Sequence, residues 1–359
     1  MSWFLAFAGF AALIVLHEFG HFIVAKAVGM RVERFMLFFP PVIWSFRRGE
    51  TEYGIGAIPL GGYVRISGMN PREELPPEVE DRAYYRQKPW KRIAVILAGP
   101  AMNVVIAFAL LWGIFVFHGQ GTGESTTTIE AITPKSAADG VLADGDRLVS
   151  VDGVRGNSLD LRLTLGTHTC LSEQVDGCEG TPAKVTFVRD GRTMTATLRP
   201  RYSAEAKRPL LGFSFGERTE KLGAGKGATE SVAGMWRVTK ATVSAIGKLF
   251  YDSKARKEVS GVVGSYETTR QAVVSSPIDA LQILALISLS LAIVNLFPFL
   301  PLDGGHVFWA LAEKVRGRPI PFTVMERAGI IGFLLVGFLF IIGLTNDIDR
   351  LRGEGFGIR

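Results

Sequence analysis

The feature that most constrains this chain is a His-Glu-Phe-Gly-His run at positions 17 to 21, set inside an apolar stretch that begins at Trp3. Four residues apart, His17 and His21 lie one above the other on one helical face. Two imidazoles at that spacing can share one zinc ion, with Glu18 between them as a general base. From Ser2 to Leu16 nothing is charged. At about 1.5 Å per residue, that length places His17 roughly 22 Å into a hydrocarbon layer about 30 Å thick. Ionisable groups at such depth are costly and mark function. The combination points to a metal-dependent hydrolase with its site inside the membrane. The blander reading, a helix end with snorkelling polar residues, leaves three clustered ionisable groups unexplained. His118 follows an apolar run and marks an interface. His168 lies in a polar loop, and both are expected to be bystanders.

Length 359 allows two or three domains. A hydrophobic fraction of 48% beside long polar stretches points to a few membrane helices and a soluble module. Four segments are long and apolar enough to span: about Trp3 to Val24, Ile93 to Phe117, Ile278 to Phe297 and Ala328 to Leu344, the last being the shortest. The first lacks the basic region and cleavage site of a signal peptide and is expected to be retained. Net charge is +6, and twelve Lys or Arg fall between Lys26 and Arg92. That clustering suits an anionic lipid surface on the cytoplasmic side. With no recognised motif beside the charge, nucleic-acid binding is not expected. The positive-inside rule places Met1 outside, residues 31 to 90 inside, 118 to 277 outside and 301 to 327 inside, with the C-terminus outside.

Residues 31 to 69 do not read as helix. Phe38-Phe39-Pro40-Pro41 is a break. Short strands are expected at Ile43–Phe46, Thr51–Gly56 and Gly62–Ile66, forming a sheet that dips into the bilayer. Residues 70 to 88 are Pro-rich and charged, hence a loop. From 125 to 203 apolar content falls and turn signals rise. Thr128–Ile132 reads as a strand and Pro134–Gly140 as a capped helical turn. The runs 182–188 and 192–198 alternate around Asp190-Gly191, a hairpin signal. The stretch Ser136-Ala137-Ala138-Asp139-Gly140 through Gly145-Asp146-Arg147-Leu148-Val149-Ser150-Val151-Asp152-Gly153 resembles a bacterial PDZ domain. Such domains bind an extended peptide by strand addition. Cys170 and Cys178, the only cysteines, fall in this predicted outside block, where a short-loop disulfide survives. Two free thiols, or a metal pair with His168, are the alternatives. Residues 229 to 258 place Val232, Met235, Trp236, Val243, Ile246, Leu249 and Phe250 among basic residues. They are expected to form an amphipathic helix on the outer membrane surface, or one packed on the soluble module.

A catalytic zinc needs a third protein ligand and an open position. The segment Asn295-Leu296-Phe297-Pro298-Phe299-Leu300-Pro301-Leu302-Asp303-Gly304-Gly305-His306 supplies candidates at the cytoplasmic end of the third span. Asp303 can reach the metal; His306 is by type the better zinc ligand, so the residues alone leave a choice. Asn295, about two turns deeper, is placed to hold a substrate backbone group.

Together the HExxH helix, the N-x-x-P-x-x-P-L-D-G-G segment and the intervening PDZ-like block resemble the site-2 protease family of intramembrane zinc metalloproteases. Within it the chain is similar to the bacterial branch that cleaves anti-sigma factors, here with a single PDZ-like block. Gly99-Pro100-Ala101-Met102-Asn103 and Gly61-Gly62-Tyr63-Val64 also resemble family segments, whereas Ser260-Gly261-Val262-Val263-Gly264 matches only in part. The resemblance implies His17, His21 and Asp303 as zinc ligands and Glu18 as base, favouring Asp303 over His306. It implies cleavage of single-span membrane proteins, such as anti-sigma factors, already shortened by another protease in regulated intramembrane proteolysis. Strands around Tyr53 to Ile66, with Gly61, Gly62 and Tyr63, are expected to pair with the unwound substrate.

The expected fold is a polytopic α-helical membrane protein with about four transmembrane helices, a membrane-associated β region and one extracytoplasmic PDZ-like β/α domain in the bacterial inner membrane. The expected segments are 1–30 (first helix), 31–90 (strands and loop), 91–118 (second helix), 123–203 (PDZ-like), 204–276 (linker with amphipathic helix), 277–300 (third helix), 301–327 (LDGG segment and cytoplasmic loop), 328–345 (fourth helix) and 346–359 (tail). A metal transporter would use the same ligands but leaves Glu18 and the peptide-reading block without a role. A silent membrane scaffold leaves the complete ligand set without one.

Overall fold

A computed structural model describes residues 2–70, 72–170, 173, 175–204, 206–249, 251–318 and 320–352. Phe250 of the expected amphipathic helix and the end of the tail, 353–359, lie outside the described residues. The chain divides into two compact units: Phe117–Leu222, and the segments on either side of it.

The first unit opens with helix α1 (Ser2–Ala27), then a long hairpin of β1 (Val32–Arg48) and β2 (Thr51–Ile66), one short turn α2 (Pro77–Glu80), and helix α3 (Pro89–Gly113). The second unit holds β3 (Gln120–Ile132), β4 (Arg147–Val151), α4 (Ser158–Gly166), β5 (Ala183–Arg189), β6 (Arg192–Leu198), β7 (Arg201–Ser203), β8 (Arg208–Leu210) and β9 (Phe213–Glu220). The chain then returns to the first unit with α5 (Ala224–Lys248), α6 (Ser253–Glu258), α7 (Val262–Ser275), α8 (Pro277–Asn295), α9 (Asp303–Arg316) and α10 (Phe322–Arg352).

Four helices are long and apolar enough to cross a membrane: Trp3–Ala27, Pro89–His118, Pro277–Asn295 and Thr323–Arg352. α1 and α8 are apolar nearly all round, as buried or lipid-facing helices are. α3 and α8 each begin on a proline, whose missing N–H is harmless in a first turn. The Ser276 hydroxyl accepts from the Ile278 N–H at 3.2 Å and caps α8. The last span is not the shortest: α10 runs 31 residues, and its polar ends continue the helix past the apolar window read from sequence.

α3 is the hub of this unit, packing on α1, α5, α8 and α9. Ala107 of α3 meets Met235 of α5 and Leu289 and Ile293 of α8 in one apolar cluster. The amphipathic helix packs on the spanning helices α3 and α8, and it starts at Ala224 and ends near Lys248. A second cluster, Ala25, Met30, Val32, Ile66, Tyr84, Val95 and Ile96, ties α1 and the hairpin to α3.

Two long strands replace the three short ones expected between 31 and 69. Residues Arg34 to Leu37 pair with Gly62–Arg65 on one side and with Glu52–Ile55 on the other. Pro40-Pro41 does not end β1. The ladder shifts register between Phe39 and Val42, which lets the prolines pass without donating, and pairing resumes at Val42 with Gly56. Within the expected linker and loop lie three further helices, α6, α7 and α9. α7 packs on α1 and α8. Its first turn is held by Asp347 of α10, which accepts from the N–H groups of Gly261 at 3.0 Å and Gly264 at 2.8 Å. α9 begins at Asp303 itself and ends at Gly317, whose φ of 70° suits a C-terminal glycine.

The second unit is built on a five-stranded sheet of order β6-β5-β4-β3-β9 over a core that includes Ile129, Leu148, Val151, Leu161, Val185 and Phe187. β5 and β6 turn through Asp190 and Gly191, both at positive φ, as the hairpin signal predicts. The expected helical turn at Pro134–Gly140 is a run of non-helical turns; the helix is α4, capped by Asn157 and Asp160 in a reciprocal box. The compact unit, 117–222, is wider than the expected 123–203 because β9 returns to pair with β3. Cys170 and Cys178 are joined as a disulfide, with Cα atoms 5.9 Å apart. His168 lies outside any helix or strand and outside the group able to hold a metal, as expected, but it is not exposed. It is buried, its Nε2 lies 2.7 Å from Asp152 Oδ2, and its Nδ1 faces Thr181 Oγ1 at 3.0 Å.

Candidate metal centre

His17 and His21 are buried on the face of α1 turned towards α3. Their Nε2 atoms are 3.3 Å apart. Asp303, first residue of α9, sends Oδ2 to within 3.3 Å of each. The three ligand atoms thus form an equilateral triangle. Ligands at about 2.0–2.1 Å around a tetrahedral zinc stand about 3.3–3.4 Å from one another. The triangle therefore has the size of one face of a zinc tetrahedron. Asp303 Oδ2 is buried with no hydrogen-bond partner, a costly arrangement for a carboxylate unless a cation meets it. Among the described residues, His17, His21 and Asp303 are the one group of three able to hold a metal ion. His306 lines the same cavity but stands outside that group.

Asp303 arrives through tight backbone packing. A Cβ at Gly304 would lie 2.2 Å from the Leu296 carbonyl oxygen, and one at Gly305 2.5 Å from the Leu300 nitrogen. Only glycine lets α9 start so close to the end of α8. Burial pushes the His306 imidazole below its usual range, with Asp303 opposing in part.

α3 supports the histidines at positions four apart. The Val95 carbonyl accepts from His21 Nδ1 at 2.8 Å. Gly99 faces the His21 ring, and a Cβ there would lie 2.2 Å from Nε2. Asn103, fully buried, sets its amide 3.0 Å from His17 Nδ1. Residues 95, 99 and 103 share one helical face. The signal for this support in the sequence is the four-residue recurrence of Val95, Gly99 and Asn103.

A cavity of about 670 Å³ opens beside the triangle and is lined by Glu18, Gly61, Gly62, Tyr63, Asn295 and His306 among others. Every residue singled out for catalysis, metal or substrate therefore meets one space, with Cys170 and Cys178 in the other unit. A Cβ at Gly62 would sit 3.1 Å from Glu18 Cγ, so the strand runs directly past the acid. Phe39 stacks on Tyr63 at 5.9 Å along the cavity wall. Gly62–Arg65 pairs on one side alone among the described residues. Outside the spans, the Glu50 carboxyl at the hairpin tip is held at about 2 by hydrogen bonds from Arg82 and then Lys26, against burial. Burial pushes the Tyr84 phenol upward.

The sequence model of peptidase family M50 matches residues 5–339. The chain belongs to this family. Zinc metalloprotease Rip1 of Mycobacterium tuberculosis is 33% identical over 396 residues, covering 94% of this chain and 95% of the relative. Zinc metalloprotease Rip1 of Mycolicibacterium smegmatis is 32% identical over 366 residues, covering 89% and 88%. With four helices able to span, this M50 protein is a membrane peptidase.

Proposed function

We propose that the peptidase is an intramembrane zinc metalloprotease whose metal is held by His17, His21 and Asp303. The equilateral triangle of ligand atoms carries the reading. It joins residues nearly three hundred positions apart at the spacing zinc demands. The relatives named zinc metalloproteases support the metal and the reaction. Zinc bound there would supply Lewis acidity, polarising a scissile carbonyl and lowering the pKa of a water towards about 7. Glu18, on the same helix and facing the cavity, takes the proton from water and hands it to the leaving amine nitrogen.

A membrane helix hides its peptide bonds in its own hydrogen bonds, so a substrate must unwind before cleavage. The open edge at Gly61, Gly62 and Tyr63 runs past Glu18 and can accept such a segment as an added strand. Asn295, across the cavity, holds a further backbone group. The substrates are single-span membrane proteins, anti-sigma factors among them, already shortened by another protease in regulated intramembrane proteolysis. The second unit, PDZ-like by its sequence, lies outside the cytoplasm of a bacterial inner membrane and reads or filters the shortened end.

The test is Glu18→Gln, purified in detergent and reconstituted with a single-span substrate. Cleavage should fall by about 10² to 10⁴-fold, the range of a general base, while bound zinc stays equimolar. Full activity in this variant removes the assigned role; loss of zinc with activity makes Glu18 a ligand instead.

A further inference from the structure

We infer that Asn103 is a positioning residue, fixing the ring of His17 by accepting a hydrogen bond from Nδ1 through its side-chain carbonyl. This rests on His17 being a zinc ligand.

The tautomer of each histidine decides whether its Nε2 can bind a metal. For His21 the backbone settles the matter. The Val95 carbonyl can only accept, so Nδ1 carries the proton and Nε2 presents a lone pair to the triangle. His17 Nε2 stands in the same triangle, 3.3 Å from Asp303 Oδ2 and from His21 Nε2. Its lone pair must also point inward, which leaves the proton on Nδ1. That nitrogen faces the Asn103 amide at 3.0 Å.

An amide offers either a donor nitrogen or an acceptor oxygen, and the network determines which end faces a neighbour. Two donors cannot face one another, so with His17 Nδ1 protonated the carbonyl oxygen must turn to it. The structure places the amide the other way, with Nδ2 towards the ring and Oδ1 buried without a partner. That placement would put the His17 proton on Nε2, where a ligand needs its lone pair, so a metal-bearing site calls for the amide turned over. Asn103 itself is anchored: the Ser288 hydroxyl of α8 donates to its backbone carbonyl at 2.9 Å. α3 therefore supplies both ligand-orienting acceptors, a backbone carbonyl at Val95 and a side-chain carbonyl at Asn103, two turns apart on one face. Outer-shell partners of this kind change metal affinity by about 10- to 100-fold.

The experiment measures zinc affinity by chelator competition on full-length protein in detergent, with melting of the metal-free form as the fold control. Asn103→Leu and Asn103→Ala should each bind zinc about 10- to 100-fold more weakly than the parent. Asn103→Asp keeps the acceptor and should stay within about threefold of the parent, since carboxylates serve the same orienting role. Ser288→Ala, which touches only the backbone anchor, should likewise stay within about threefold. Parent affinity in both the Leu and the Ala variants overturns the inference. So does an Asp variant as weak as Leu, which would mean Nδ2 faces the ring, or a Ser288→Ala loss as large as that of Leu, which would make helix packing the cause. His17→Ala separates the two ideas: if it binds zinc as the parent does, the ligand assignment fails, not the orienting role.

Discussion

Replacing Gly99 by alanine adds one methyl group at the tightest point of the metal centre. A Cβ there would lie 2.2 Å from His21 Nε2, 2.5 Å from Cε1 and 2.8 Å from Cδ2. Ordinary contact begins near 3.4 Å. The ring or the helix must therefore move by about 1.2 Å, because packed interiors leave no slack to absorb a methyl. If the ring moves, it leaves the Val95 carbonyl, now at 2.8 Å, and takes Nε2 out of the triangle. If α3 moves, Val95 and Asn103 go with it. Metal–ligand distances tolerate about 0.2 Å, so either response is several times too large. Loss of an outer-shell partner alone costs about 10- to 100-fold in affinity. Displacing a ligand as well should cost at least about 100-fold, or about 2.7 kcal/mol. The helix is not weakened, since alanine is about 0.8–1.0 kcal/mol better than glycine in a helix interior. The assay is zinc affinity by chelator competition, paired with cleavage of a reconstituted substrate. Gly113→Ala is the matched control: it lies on the same helix, with nothing within 4 Å of its would-be Cβ, and should behave as the parent. Parent-like zinc affinity in Gly99→Ala refutes the argument. Equal losses in both variants would assign the effect to helix propensity, not to contact with His21.

Asp303→Ala should lose both zinc and activity, by at least about 100-fold in affinity, whereas His306→Ala should keep most of its metal; metal analysis of the two purified variants decides between them. Glu50, held at about 2, ties the hairpin tip to Arg82 and Lys26. Because the folded pKa is depressed, this tether is fully present above the free carboxyl value of about 4.5 and is lost as pH falls from there through about 2. Hydrogen exchange at residues 46–53 should therefore separate the parent from Glu50→Gln at pH 7, with the two converging only below about pH 2; identical exchange at pH 7 removes the tether. Cys170 and Cys178 should resist alkylation until a reductant is added, and rapid labelling of both without reductant counts against the pairing.

Local relations were legible in the residue order because they depend on periods the chain carries with it. His17 and His21 share a face by helical geometry alone, the four spans follow from lengths of apolar residues, and Asp190-Gly191 marks its hairpin by the positive φ both positions adopt. Relations between distant segments were not legible. Asp303 and His306 are three apart on the start of α9, and by residue type alone His306 is the better zinc ligand. What separates them is the tertiary packing: glycines bring the N-terminus of α9 against the end of α8, and Asp303 Oδ2 comes within 3.3 Å of His17 and His21. α7 looked like linker because its first turn is stabilised by Asp347, more than eighty positions away. β1 passes Pro40-Pro41 because its partner strand accommodates a shift in register, which no local breaker signal reveals. Asn103 stood in the sequence only as the end of a segment resembling the family, with no task of its own. Its task exists only where α3 crosses α1 and its amide meets His17, because a hydrogen bond between helices depends on how they cross and not on the spacing within either.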